Sequence, residues 1–320
     1  MHDHTVNRFM LSRRNVRVKV MQQLYSLEQD KELTFAQAKR AYFKSVDDTF
    51  LLYLLNLYCI EKVCSFAVED GINRTKKHLK TEEDLKFSDK LYTNPLISSL
   101  VQNKALQARY KREQFQEGLD DDMFRKIYKD FSKEAAYQKF LLTESTKDDY
   151  IEILLELYRA CRKAELFNEI MDDRFASWTD DKSLVIGALK KSLKALPTEG
   201  AFYQEHIPDE DTVKDFGEFL LEKTYYENVM LENLINPVLE NWDSERVAII
   251  DMILIKMGIV EMMNIKTIPT KVSLDEYVEL SKNYSTDKSK EFVNGVLDKL
   301  LKNLIEQGHI IKEGRGLLEE

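Results

Sequence analysis

Glycine and proline are scarce in this chain, at 10 and 5 of its 320 residues, well below the roughly 12 % that is ordinary for the pair. Folds built on many tight turns need more of both, which excludes all-β and dinucleotide-binding α/β architectures and points to long helices. Cysteine is equally sparse. Cys59, Cys64 and Cys161 lie within apolar helical patterns and form no CxxC pair. That argues against a metal ribbon or a disulfide scaffold, and they read as reduced core residues of a cytoplasmic protein. No apolar run reaches the roughly 20 residues of a membrane span. The strongest, Phe50 to Ile60, ends at Glu61 and Lys62 and reads as a buried helix, and Met1-His-Asp-His4 lacks the apolar stretch of a signal peptide. A positive balance is also missing. The net charge of −9 argues against a general polyanion binder, although it permits a local basic patch.

What is present suits a folded chain. Hydrophobic residues make up 43 % and charged residues 32 %, enough apolar material for one large domain or two modest ones. The fold class expected is all-α. Ser12 opens a helix over about 13–29 with Val16, Val20, Leu24 and Leu27 on one stripe. Further helical patterns cover about 35–45, 47–78, 82–92, 97–117, 121–142, 148–171 and 183–196. Pro197 to Asp211 is the best break in the chain. Beyond it, Thr212 with Asp215 suggests a helix to about 235, interrupted before Pro237. Asp243 suits the cap of a helix carrying Val247, Ile250, Leu254 and Met257. Ser273-Leu-Asp-Glu276 has the form of a capping box opening a helix to Tyr284, and Gly308 stops a last helix from about 288. The tail from Lys312 is expected to fray.

Catalytic signals are weak. Asp120-Asp121-Asp122 and Asp172-Asp173 lack the further acid that would let carboxylates share magnesium on one helix face, and suit helix starts instead. The five histidines are scattered, and no HExxH, GxSxG or glycine-rich phosphate loop occurs. No catalytic residue, metal or cofactor is expected. The most uneven charge lies at the start. Arg8, Arg13, Arg14, Arg17 and Lys19 fall between His4 and Leu27 without one acid. Arginine forks and helix N–H groups can together bind phosphate, and the competing reading is a basic face paired with the acidic remainder of the chain.

Four strings then suggest a family. Ser12-Arg-Arg-Asn-Val-Arg-Val-Lys-Val-Met-Gln-Gln-Leu-Tyr25 resembles the opening helix of the NusB transcription antitermination factors. Asn241-Trp-Asp-Ser-Glu-Arg246 with Asp251 and Leu254, then Glu261 with Ile268-Pro269-Thr-Lys-Val272 through Lys282, and finally Phe292-Val-Asn-Gly-Val-Leu-Asp-Lys299 continue it in order. The resemblance covers about 12–30 and 212–308. It implies residues 1–30 and 206–320 as a NusB-like, RNA-binding bundle of two helical subdomains, with 31–205 as a large helical insertion of unassigned role.

The resemblance further implies binding to boxA-like single-stranded RNA of ribosomal RNA transcripts, together with NusE, a small-subunit ribosomal protein, within an RNA polymerase antitermination complex. It assigns RNA contacts to Arg13, Arg14 and Arg17, with Tyr25 beside them. Phe292 and Asn294 are second RNA candidates through stacking and amide hydrogen bonds, Phe292 having core packing as its competing role. Lys288 stands where an acid is common and adds attraction, and Asp251 is the candidate for partner contact. Asn15 interrupts the arginine run, and Gly295 reads as allowing close helix packing. The other function considered is a helical protein-interaction scaffold without RNA binding.

Overall fold

The computed structural model describes residues 10–239 and 247–318, and these are helical, without a strand among them. The chain forms two compact units. One holds Asp47–Ile207 with Met10, and the other holds Leu11–Val46 with the chain from Pro208 onward. The divisions fall at 46/47 and 207/208 rather than at 30/31 and 205/206. The first lies inside one long helix, α2 (Phe35–Thr75), where a break near 46 was expected. No proline or glycine interrupts α2 before Gly71. By length and composition α2 could cross a membrane, and 78 % of its most apolar window is buried in the fold.

The unit built on Asp47–Ile207 contains most of α2 and a run of shorter helices: α3 (Glu82–Lys86), α4 (Lys90–Thr93), α5 (Pro95–Val101), α6 (Lys104–Arg112), α7 (Asp121–Phe131), α8 (Ala135–Leu142), α9 (Lys147–Lys163), α10 (Glu165–Arg174) and α11 (Trp178–Ala195). Caps divide stretches that read as single helices. The Asn103 side chain accepts from the Leu106 N–H (3.0 Å) and starts α6. Asn94 does the same for α5, with Pro95 at its first position. The core joins Leu52, Leu55 and Val63 of α2 to Leu154 and Leu157 of α9 and Leu189 of α11. All three cysteines are free and buried, and burial pushes the thiols up, that of Cys161 to about 12.

The other unit contains α1 (Arg13–Gln29) and the start of α2. A π-helical stretch, Asp211–Glu218, follows Pro208 and runs into α12 (Phe219–Tyr226). Then come α13 (Asn228–Leu239), α14 (Ile249–Asn264), α15 (Thr270–Tyr284) and α16 (Ser289–Glu306). Pro237 lies inside α13 rather than beyond its end. The expected Asp243 cap lies outside the described residues. α14 is the central rod, buried from Ile253 to Met262 on all sides, with Lys256 and Glu261 included, and α1, α12, α13, α15 and α16 pack on it.

Two glycines are dictated by close approach. A Cβ on Gly217 would stand 1.9 Å from Tyr42 Oη and 2.4 Å from Val16 Cγ1, so the π-helical stretch can lie against α1 and α2 only with glycine there. A Cβ on Gly316 would stand 1.9 Å from the Lys266 carbonyl oxygen. The tail is therefore docked where fraying was expected: Glu313 N–H donates to that carbonyl (3.0 Å) and Lys312 Nζ to the Ile265 carbonyl (2.9 Å).

Candidate RNA-binding face

Ser12 and Asn15 set the start of α1. The Ser12 N–H donates to Asn15 Oδ1 (3.2 Å), so the asparagine that interrupts the arginine run closes the first turn. With Val16, Val20 and Leu24 buried on one side, the successive arginines meet different surroundings.

Arg17 is the inward one. Its side chain is 4 % exposed, and Nε and Nη2 donate to Glu261 Oε2 (2.8 Å) and Oε1 (2.6 Å). Ser273 Oγ (2.7 Å) and Tyr277 Oη (2.8 Å) donate to the same carboxylate, so fully buried Glu261 accepts four hydrogen bonds. Rings flank the guanidinium, with Phe216 at 5.1 Å and Tyr277 at 5.7 Å. Burial opposes the charge, but the hydrogen bonds and charge of Glu261 outweigh it and hold the guanidinium above its ordinary range. This arginine ties α1 to α14 and α15, and the phosphate contact expected of it is corrected. The capping-box reading of Ser273 and Glu276 changes with it. α15 begins at Thr270, immediately after Pro269, so both residues lie inside the helix, Ser273 on Glu261 and Glu276 toward α1.

Arg14 is half exposed. Its Nε and Nη2 donate to Glu276 Oε2 (2.8 Å) and Oε1 (3.1 Å), and these hydrogen bonds to Glu276, ahead of the burial that opposes them, raise its pKa. Glu276 Oε2 also lies 3.5 Å from Arg17 Nη1. Arg13 is exposed, with its guanidinium 5.4 Å from the Phe216 ring, and among the described residues it has no acidic partner. Tyr25, 38 % exposed, is eleven residues beyond Arg14, about 17 Å along the helix, and so does not lie beside the arginines.

The α16 candidates divide similarly. Lys288, just before the helix, and Asn294 are exposed. Phe292 is 9 % exposed and belongs to the core, which corrects its stacking role. Gly295 is exposed, and a Cβ placed there would meet nothing within 4 Å, so helix packing does not explain it. Asp251 is 4 % exposed and accepts from Ser289 Oγ (2.7 Å). It steadies the start of α16 and cannot meet a partner directly, another correction. Ser289 stands beside Asp251 and Arg17 beside Glu261, ten residues apart on α14. The arginine end of α1 and the start of α16 are thus separated by about 15 Å along that rod.

Sequence reasoning missed a groove of about 530 Å³ in this unit, lined by Leu24, Leu27, Tyr225, Tyr226, Val229 and Ile253 among others. Tyr226 and Val229 are 69 % and 71 % exposed. The signal available was the adjacent Tyr225-Tyr226 pair near the end of a helical pattern. Among the described residues no group of three or more His, Cys, Asp or Glu could hold a metal ion, and the Asp120 carboxylate accepts from the Asp122 N–H (2.9 Å) at the start of α7.

Fold and site together define an all-helical bundle with cationic side chains at the start of α1, a cationic and an amide side chain near the start of α16, and a groove at the other end of α1. The sequence model of the NusB family matches residues 177–302, which takes in α11 as well as α12 to α15 and most of α16, and leaves out α1. Three relatives carry the name transcription antitermination protein NusB. That of Salinibacter ruber is 40 % identical over 111 residues, 34 % of this chain and 69 % of the relative. That of Chloroherpeton thalassium is 45 % identical over 80 residues, 25 % and 38 %. That of Gloeobacter violaceus is 37 % identical over 98 residues, 31 % and 46 %. No solved structure matches. The chain belongs to the NusB family.

Proposed function

We propose that this chain is a transcription antitermination factor that binds boxA-like single-stranded RNA together with the ribosomal protein NusE, as part of an RNA polymerase complex and without a catalytic step of its own. The observation that carries the RNA reading is the exposed Arg13–Arg14 start of α1, which has no acid in its first turn and presents guanidinium forks at the positive end of the helix dipole. Lys288 and Asn294 supply a second contact that an extended strand can reach. Family membership and the names of the relatives support the antitermination role. With Asp251 buried, the protein partner is assigned to the groove bearing Tyr226 and Val229.

Fluorescence anisotropy with a boxA-like RNA, with and without NusE, tests this. Binding that tightens with NusE and weakens with salt is expected. Wild-type protein that ignores the RNA in both arms would leave the helical interaction scaffold as the reading, which the engagement of Arg17 by Glu261 favours.

A further inference from the structure

Glu276 occupies the place a phosphate would take on Arg14. Its carboxylate receives both donors of a guanidinium edge at 2.8 and 3.1 Å, the fork geometry that arginine also offers to phosphate. It is itself 22 % exposed, beside a 50 % exposed arginine, so the pair lies at the surface where an RNA strand can compete for it. A second cation waits behind. Arg17 spends Nε and Nη2 on Glu261, and its remaining terminal nitrogen, Nη1, stands 3.5 Å from Glu276 Oε2, longer than a strong charged hydrogen bond.

We infer that Glu276 is a built-in competitor for the RNA phosphate: it holds Arg14 in the free protein and turns to Arg17 Nη1 when phosphate displaces it. The inference rests on the RNA reading above and adds a residue that sets its affinity. At no stage is the carboxylate left without a cation, so the exchange avoids the cost of an unpaired charge beside a buried ion pair. A lone small anion gains little from displacing Glu276. A strand that also reaches Arg13 gains two contacts for one displaced carboxylate, so the arrangement favours polyanions over free phosphate.

The test uses the full chain and a boxA-like RNA oligonucleotide, read by anisotropy at low salt. Glu276→Gln should tighten binding by about two- to five-fold, the worth of an exposed ion pair. In an Arg14→Gln background the same replacement should give a clearly smaller gain. Glu276→Asp keeps the charge but withdraws the carboxylate, and should fall between wild type and Glu276→Gln; it also serves should the glutamine protein fold poorly. Weaker or unchanged binding by Glu276→Gln, or an equal gain in the Arg14→Gln background, would overturn the inference while leaving the RNA reading standing. Absence of RNA binding by the wild type would overturn both.

Discussion

Two glutamates, one in each unit, meet opposite surroundings. Glu261 accepts four hydrogen bonds, two of them from an arginine buried with it. Partly buried Glu61 on α2 accepts, among the described residues, only from the Gln107 side-chain amide, 3.1 Å from each oxygen, and desolvation pushes its carboxyl up to about 7. The unit built on Asp47–Ile207 also buries neutral pairs, such as Tyr53 with Ser192 (2.8 Å), Ser192 with His206 (2.9 Å) and Tyr158 with Asn56 (3.0 Å), alongside the Asp181 carboxylate, which accepts from Thr49 Oγ1 (2.6 Å). Two of those bonds also join distant segments, α2 to α11 across 139 residues and α9 to α2 across 102, but through neutral groups. The Arg17–Glu261 pair joins helices 244 residues apart in the chain, and it can satisfy all its donors only in one register of α1 against α14 and α15. The contrast teaches that either kind of bond can join distant segments, and that the charged pair differs in what breaking it costs, since removing one partner leaves an uncompensated buried charge.

Removing one member of the charged pair should break this contrast most severely. Arg17→Met leaves Glu261 buried without its cation, and a loss of about 3–5 kcal/mol is expected from urea unfolding. Replacing both, with Arg17→Met and Glu261→Leu, should recover much of that loss. A single mutant as stable as wild type would show that the pair does not fix the register.

Glu61 sharpens the comparison through pH. Its folded value, about 7, lies above the ordinary 4.5, so the folded state binds the proton more tightly than the unfolded chain. The stability that this proton linkage contributes is full below about pH 4.5 and is lost as pH rises through 7. Glu61→Gln should therefore match wild type at the acid end and exceed it by on the order of 3 kcal/mol above pH 7. A pH-independent difference between the two proteins would remove burial of the charge as the cause.

How far these features are legible in the sequence depends on how local their causes are. The bounds of α1, its apolar stripe and the Gly308 stop are readable, because a cap, a 3.6-residue period and a glycine at φ +73° act within one or two turns. The burial of Arg17 is not readable from charge patterning. Its partners arrive from α14 and α15, and only the packed structure distinguishes it from Arg14, three positions earlier. Ser273 and Glu276 have the spacing of a cap, yet tertiary partners take both side chains. Phe292 and Asn294 share one short motif, and their separation into core and surface follows only from how α16 lies on α13, α14 and α15. The tail shows the same limit, since Gly316 carries no local sign of the Lys266 carbonyl it rests on.

The smallest effect on stability is expected at the outward arginines of the same helix, where the comparison becomes one between Arg17 and its neighbours. Among the described residues Arg13 has a ring contact and no ion pair, and Arg14 a half-exposed ion pair, so replacing both by Gln should cost about 1 kcal/mol or less. Their effect should appear instead in RNA binding. Each phosphate contact on a single strand contributes about −0.7 to the slope of log K against log salt, and the double replacement should flatten that slope by about 1.4 units. Arg17→Gln would confuse the measurement, because lost binding would then follow from a loosened bundle. A double mutant that keeps the wild-type slope and affinity would show that phosphate is not bound at the start of α1. One that loses several kcal/mol of stability would show that these two arginines, like Arg17, hold the fold together.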